Sequence, residues 1–300
     1  MITSFEQIFD LLKSKPKKRL VAAYANDSHT IEAVSMAIAS GIVNATLVGD
    51  KEIIKKVCDA EEIDYSRFNI VHEPDETNAT LTAVEFVNKG EGDLLMKGLC
   101  STDKYMRAIL NKEVGLLPPK GILSHIALIR VNGYEKMLLC SDVAVIPSPD
   151  LNQKIAICNY LINTAKILGI EKPKVAIIAA TEQMSPGMQA CVDAAILSKM
   201  ADRGQIKGAF VDGPMAVDVA IDREAVAIKK VSGPVAARAD CLLFPNIESG
   251  NVFYKTIGKF TNASIAAIVV GAKAPCVLSS RGDTTETKLN SIALAALTVK

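Results

Sequence analysis

The chain has 300 residues, 49% apolar and 22% charged, with a formal net charge of +1. That length makes room for two domains with cores of their own. The near-zero charge, with KSKPKKR at 13–19 as the densest basic stretch, argues against a nucleic-acid-binding face. Seven cysteines stand without a CxxC pair, and the three histidines (29, 72 and 125) lie at no metal-ligand spacing. Both patterns point to free thiols in a reducing, cytoplasmic compartment and away from a zinc centre. No apolar run approaches the roughly 18 residues of a membrane helix, and the N-terminus carries its charges after its apolar part, unlike a secretory signal.

Apolar, β-branched runs alternate with helix-period segments along most of the chain. Ser4, with Gln7 three residues on, reads as a capping box opening a first helix. Strands are predicted over 19–24, 45–48, 69–72 and 93–97, and helices over 27–40, 51–60, 76–88 and 102–111. Segments 125–131 and 136–140, joined by Asn132-Gly133-Tyr134, read as a hairpin, because Asn-Gly suits a type I′ turn. The two prolines of AVIPSPD, 144–150, mark a domain junction. Beyond it come a helix over 151–168, a strand over 174–179, a helix over 187–201, a strand over 208–211 and a helix over 217–221. A strand over 240–244, a helix over 251–260, strands over 264–270 and 275–278, and a last helix over 283–297 complete the chain. Such alternation implies a mostly parallel α/β sheet covered on both faces, with ligands collecting beyond the carboxyl ends of the strands.

Familiar catalytic signatures are missing: there is no GxxxxGK[ST], no GxSxG and no HExxH. Gly90-Glu91-Gly92 lacks the third glycine of a dinucleotide loop and precedes a strand instead of following one. Two strand-to-helix corners carry the positive signal. At Val277-Leu278-Ser279-Ser280-Arg281-Gly282-Asp283-Thr284 a buried strand ends in two hydroxyls and an arginine just before a helix. Helix N-termini favour phosphate, and a guanidinium matches its oxygens. A plainer reading makes Asp283 and Glu286 a capping box. At 94–107 the construction recurs, with Lys97, Ser101, Thr102, Lys104 and Arg107 gathered after Gly98. Two such corners suggest an anion held between two domains, with both corners facing one crevice. The segments 141–154 and 243–255 are further polar turns at helix starts. His125 heads an apolar strand and, like Asp142, is either structural or near substrate.

Together these segments resemble the phosphate acetyl- and butyryltransferase family, most clearly from about residue 93 to 297. The matching pieces, in family order, are Gly98 with Ser101-Thr102 and Arg107; VIPSPDLNQK; Asp212-Gly213-Pro214; Phe244 to Lys255; and Ser280-Arg281. The Asp212-Gly213-Pro214 segment and the absence of an extra N-terminal regulatory domain resemble the butyryl branch more than the acetyl one. The resemblance implies two α/β domains with mostly parallel sheets and an interdomain cleft, similar in fold to isocitrate and isopropylmalate dehydrogenases. The last helix then returns to the first domain, giving 1–141 with 283–300 as one domain and 142–282 as the other.

The implied reaction exchanges a short-chain acyl group between acyl-CoA and inorganic phosphate, by direct thiolate attack in a ternary complex. Coenzyme A is a co-substrate, no cofactor or metal is permanently bound, and the protein is a homodimer or larger homo-oligomer. By the resemblance, Ser280, Arg281 and Glu286 are catalytic; Lys97, Ser101, Thr102, Lys104, Arg107 and His125 bind phosphate and acyl group; and Pro147, Asn152, Asn246, Asn251 and Lys255 bind coenzyme A. One position departs from the acetyl-type pattern. Where that pattern has an Asp as thiol base, seven residues after the serine, this chain has Thr287. The base is then Glu286, a group from elsewhere, or none if the thiol arrives ionised. Acetyl specificity is the alternative within the class. A metal-dependent NAD(P) dehydrogenase of the same fold is the alternative outside it, and would need clustered Asp ligands and a cofactor loop. A non-enzymatic binding protein is the third reading, and leaves Ser280-Arg281 without a purpose.

Overall fold

Residues 1–280 and 282–299 are described by a computed structural model. The aliphatic runs form eleven strands: β1 Lys18–Ala23, β2 Val43–Gly49, β3 Asn69–His72, β4 Leu94–Lys97, β5 Ser124–Arg130, β6 Leu138–Ser141, β7 Lys174–Ile178, β8 Phe210–Met215, β9 Cys241–Leu243, β10 Ser264–Val270 and β11 Cys276–Val277. The helices between them are α1 Phe5–Lys13, α2 Ser28–Ala39, α3 Lys51–Ala60, α4 Glu76–Asn88, α5 Thr102–Ile109, α6 Leu151–Ile167, α7 Gln189–Asp202, α8 Val217–Ile221, α9 Arg223–Lys229, α10 Ile247–Phe260 and α11 Thr285–Thr298. Acidic caps start several of them where the sequence turns polar. The carboxylates of Asp27, Asp50, Asp75 and Asp150 each accept backbone N–H groups of the first turn.

The contacts divide the chain into two compact units. A terminal unit holds Phe5–Leu123 and the chain from Ile265 onwards; a central unit holds Met1–Ser4 and Ser124–Ser264. These boundaries differ from those expected at 141/142 and 282/283. The proline segment is a loop fastened to its own unit. Asp142 accepts the N–H groups of Ala144 and Val145 at 2.8 Å, and the Pro147 carbonyl accepts the Ile247 N–H at 2.9 Å. At the other boundary, β11 pairs with β4 and so joins the terminal unit.

In the terminal unit the strand order is β3-β2-β1-β4-β11-β10, parallel except for β10 against β11. The chain runs outward through β2 and β3 on one side of β1, then returns to place β4 on the other. The strand order therefore reverses between β1 and β4, the kind of switch point at which parallel sheets place ligands beyond their carboxyl edge. The last helix, α11, buries every residue from Lys288 to Leu297, the polar Lys288, Asn290 and Ser291 among them. In the central unit the order is β5-β6-β9-β7-β8, with β5/β6 the anticipated antiparallel hairpin and the other pairs parallel.

Three local expectations change. Helix α10 begins at Ile247, not 251, because the Asn246 side chain caps it by accepting the Ser249 N–H. A short helix, α9, follows α8 with Asp222 as its cap. The Asp283–Glu286 capping box does not form: Thr284 is the N-cap of α11, accepting the Thr287 N–H, and Asp283 turns back to Ser280. Among the described residues, no helix is long and apolar enough to cross a membrane.

Candidate functional site

Parallel pairing of β4 with β11 aligns Leu95 with Cys276 and Met96 with Val277. The next residues out, Lys97-Gly98 and Leu278-Ser279, therefore leave the sheet side by side. The two corners singled out in the sequence are neighbours within one unit, where they had been expected to face each other from two domains. Backbones are tightly packed here. The N–H groups of Gly98 and Leu99 donate to the carbonyls of Ala23 and Tyr24, each at 2.9 Å. A Cβ on Gly98 would lie 2.6 Å from the Tyr24 oxygen, so only glycine fits.

At the β4 corner, Ser101 caps α5 and its hydroxyl accepts the Lys104 N–H at 3.2 Å. A carboxylate already occupies part of this helix start. Glu76 accepts the Ser101 N–H through Oε1 and the Lys104 ammonium through Oε2, both at 2.7 Å. Lys104 and the α5 dipole thus face an acid of the protein, which raises the Lys104 pKa chiefly through that hydrogen bond. Arg107 is exposed and pairs with Asp103 at 2.8 Å, and Thr102 is exposed at the first helical position. Lys97 is buried, 3% exposed, with Nζ donating to the Gly98 carbonyl at 3.3 Å.

At the β11 corner, Ser279 is buried and Ser280 exposed. Asp283 Oδ2 accepts the Ser280 N–H at 2.7 Å, and the Asp283 N–H donates to the Ser280 carbonyl at 3.1 Å. Arg281, the expected phosphate clamp, lies outside the described residues. Glu286 is exposed in the first turn of α11. Sequence reasoning missed Lys288. This residue is 4% exposed, and its Nζ donates to Ser279 Oγ at 3.0 Å and reaches the Ser280 carbonyl at 3.5 Å. Burial pushes its pKa down, while the nearby carboxylates of Asp27 and Asp283 hold it up. The available signal was a lysine at the head of the buried run Leu289–Leu297, whose other polar members, Asn290 and Ser291, carry no charge.

Behind Lys288 lies the start of α2. Asp27 caps it with Oδ1, which accepts the Thr30 N–H at 2.9 Å. Its Oδ2, the Thr30 hydroxyl and Asn26 Nδ2 are buried with no hydrogen-bond partner. The Thr285 hydroxyl donates to Glu32 at 2.9 Å and ties α11 to α2. Sequence reasoning passed over Asp27 because an acid at a helix start reads as nothing more than a cap.

The remaining candidates belong to the central unit. His125 is buried in β5 with its ring edge-on to Tyr254, centroids 6.5 Å apart. Asp142, 1% exposed, accepts five donors: the Ser124 hydroxyl and the N–H groups of His125, Ala144, Val145 and Ile146. Helix α10 is fastened to this turn. Asn251 Nδ2 donates to the Val143 carbonyl at 2.8 Å, and a Cβ on Gly250 would lie 2.2 Å from the Asp142 carbonyl. Asn246 is taken up in the α10 cap, and Lys255 Nζ lies 5.1 Å from the Tyr254 ring centre. Pro147 and Asn152 are exposed on the loop and at the start of α6. Among the described residues, no group of three or more His, Cys, Asp or Glu side chains is placed to hold a metal ion.

A mostly parallel α/β sheet with buried lysines, hydroxyls and unpaired polar atoms at its carboxyl edge defines an enzyme that binds a small polar ligand at a switch point. Comparison with known proteins narrows this. The family described as phosphate acetyl/butaryl transferase matches residues 67–296. The chain is 48% identical, over 99% of its length and 98% of the other, to a phosphate butyryltransferase of Clostridium acetobutylicum. It is 39% identical to a phosphate acetyltransferase of Thermotoga maritima, over 97% and 98%. A solved branched-chain phosphotransacylase from Enterococcus faecalis superposes with a TM-score of 0.82 at 29% identity, covering 94% of this chain and all of the other. The chain therefore belongs to the phosphate acetyl/butyryl transferase family.

Proposed function

We propose that the protein transfers a short-chain acyl group between coenzyme A and inorganic phosphate, with butyryl-CoA and phosphate giving butyryl phosphate and CoA. The observation that carries this reading is the side-by-side exit of β4 and β11, which gathers Ser101, Thr102, Ser279 and Ser280 at one sheet edge. Butyryl preference over acetyl is supported by the relatives, 48% identical for a butyryltransferase against 39% for an acetyltransferase.

In the direction of acyl phosphate breakdown, the CoA thiolate attacks the carbonyl carbon and forms the new C–S bond. The electron pair on the carbonyl oxygen becomes a tetrahedral oxyanion, to which Ser280 donates. Collapse breaks the C–O bond, and the pair leaves on phosphate, held by Arg281, Ser101 and Thr102. The thiolate is the competent nucleophile, so the thiol proton must be lost before attack. Thr287 offers no carboxylate, and its N–H is spent on the Thr284 cap. Glu286, in the first turn of α11, is the nearest acid in sequence for the proton. Coenzyme A is a co-substrate in this scheme, with its contacts assigned to Pro147, Asn152, Asn246, Asn251 and Lys255. His125 belongs with the acyl and phosphate contacts, and the protein works as a cytoplasmic homodimer or larger oligomer.

The test is to mix the protein with butyryl-CoA and phosphate and follow free thiol with a thiol reagent. Phosphate-dependent release is the expected result. Release without phosphate means a thioesterase, and an NAD(P)-dependent absorbance change means a dehydrogenase. Arg281→Ala is expected to lose far more activity than Glu286→Ala; equal, trivial losses remove the site assignment.

A further inference from the structure

Ser280 is held through its backbone by two oppositely charged side chains. Asp283 takes its N–H at 2.7 Å. On the other side, Lys288 reaches its carbonyl at 3.5 Å and donates to the neighbouring Ser279 hydroxyl at 3.0 Å. The lysine is 4% exposed and sits on α11, where the other buried polar residues, Asn290 and Ser291, are uncharged. A purely structural helix position of that depth would be filled more cheaply by leucine or methionine, since burying an ammonium carries a desolvation penalty. The charge also has a counterpart: Asp27 lies within its electrostatic reach, with one carboxylate oxygen buried and unpaired. The two charges bracket the serine corner from the α2 and α11 sides of the sheet edge.

We infer that Lys288 is a positioning residue for acyl transfer: its ammonium fixes the Ser279–Ser280 backbone, with Asp283 as the second clamp, so that the Ser280 hydroxyl is preset for the developing oxyanion. The inference rests on the acyl-transfer reading and extends it. Donors aimed at charge that develops only in the transition state act on turnover and not on ground-state binding. A loosened Ser280 therefore lowers kcat and leaves KM alone. Because burial depresses the lysine's pKa, its charge is disfavoured in the fold, a penalty present in full below the lowered folded value and gone once pH passes the ordinary lysine value. A neutral apolar side chain of similar length is therefore tolerated by the fold.

The experiment compares Lys288→Met, Lys288→Arg and Asp283→Ala with the unmodified protein, in the phosphate-dependent thiol-release assay and by thermal unfolding. Lys288→Met is expected to keep its Tm and to lose kcat about ten- to a hundredfold, with KM for butyryl-CoA and phosphate within twofold. Lys288→Arg should recover most of the loss, and Asp283→Ala should repeat the kcat-only pattern. Unchanged kcat in Lys288→Met, a loss carried by KM, or an arginine variant as slow as the methionine one at equal Tm overturns the role. Should Lys288→Met not fold, Asp283→Ala decides: a kcat-only loss upholds the clamp and unchanged kcat removes it. Absence of phosphate-dependent release from the unmodified protein defeats the acyl-transfer reading itself, and this inference with it. An active protein indifferent to Lys288 defeats only the inference.

Discussion

Two buried polar clusters at strand ends, one in each unit, are built on opposite plans. Around Asp142 in the central unit, every oxygen is satisfied by the protein: five donors converge on one carboxylate and lock the turn that carries Pro147 and receives α10. Around Asp27 and Lys288 in the terminal unit, polar groups are equally buried but incompletely matched. Among the described residues, Asp27 Oδ2, the Thr30 hydroxyl and Asn26 Nδ2 lack hydrogen-bond partners, and Lys288 donates to a hydroxyl and makes a long contact to a carbonyl. Saturation is what a structural knot needs, since each unmade buried hydrogen bond destabilises the fold. On the acyl-transfer reading, the unmatched Thr30 hydroxyl and Asn26 amide are donors left for a ligand, at a stability cost the fold carries elsewhere.

Substitutions can break or sharpen this contrast. The largest effect is expected from Ser280→Ala. Removing one oxyanion donor should lower kcat by about 10²–10³ with little change in stability, read by steady-state kinetics beside a melting curve. A loss under threefold would take Ser280 out of the chemistry. Asp142→Asn attacks the saturated cluster. It turns an acceptor into a donor facing two or three N–H or O–H groups, and is expected to cost about 3–5 kcal/mol in denaturant unfolding, since hydrogen bonds to a charged group contribute about 1.5–3 kcal/mol each. A cost below ~1 kcal/mol would mean that the turn does not depend on its carboxylate.

Thr30→Val probes the unmatched cluster with the opposite sign. An unpaired buried hydroxyl is unfavourable, so its replacement by a methyl should raise stability by about 1 kcal/mol, while activity falls several-fold if the hydroxyl is kept for ligand. Lower stability would show that the hydroxyl is paired. The smallest effect is expected at Arg19–Asp93, at the far end of β1 and β4 from the site. The carboxylate pairs with a half-exposed guanidinium at 2.6 Å and accepts the Arg19 N–H at 2.7 Å. The Arg19 hydrogen bond holds the Asp93 pKa below the usual carboxylate value. Its contribution is therefore present above the ordinary Asp pKa of about 4 and is lost as pH falls through the lower folded value. Asp93→Asn should cost at most about 1 kcal/mol at pH 7, with a smaller difference from the unmodified protein at acid pH. A difference that widens on acidification would reverse the assignment.

Much of the architecture was legible because it depends on short-range pattern. Helix 76–88 and strand 69–72 were placed to the residue, since Asp75 caps the one and a short aliphatic run makes the other. The β5/β6 hairpin was anticipated, but not as a type I′ turn: Gly133 takes φ 93° while Asn132 keeps a negative φ, and the strands stop at Arg130 and Leu138. Errors collected where a side chain's partner lies far off or runs against the local pattern. Asn246 moved the start of α10, and Asp283, read as a cap, serves Ser280 instead. At the candidate site, the hydroxyl corners were visible as motifs. Their true neighbourhood was not, because it depends on β4 and β11 pairing across some 180 residues of chain. The engagement of Lys104 by Glu76 was hidden for the same reason.

By itself the sequence settled most of the strands and helices, that the sheet is mostly parallel, and which serines end strands, because periodicity and capping act over a few residues. Which strands became neighbours, where the chain divided into units, and that Lys288 and Asp27 meet the serine corner were decided by tertiary packing. Those outcomes depend on burying α11 and aligning distant strands, and no local stretch of sequence contains that energy.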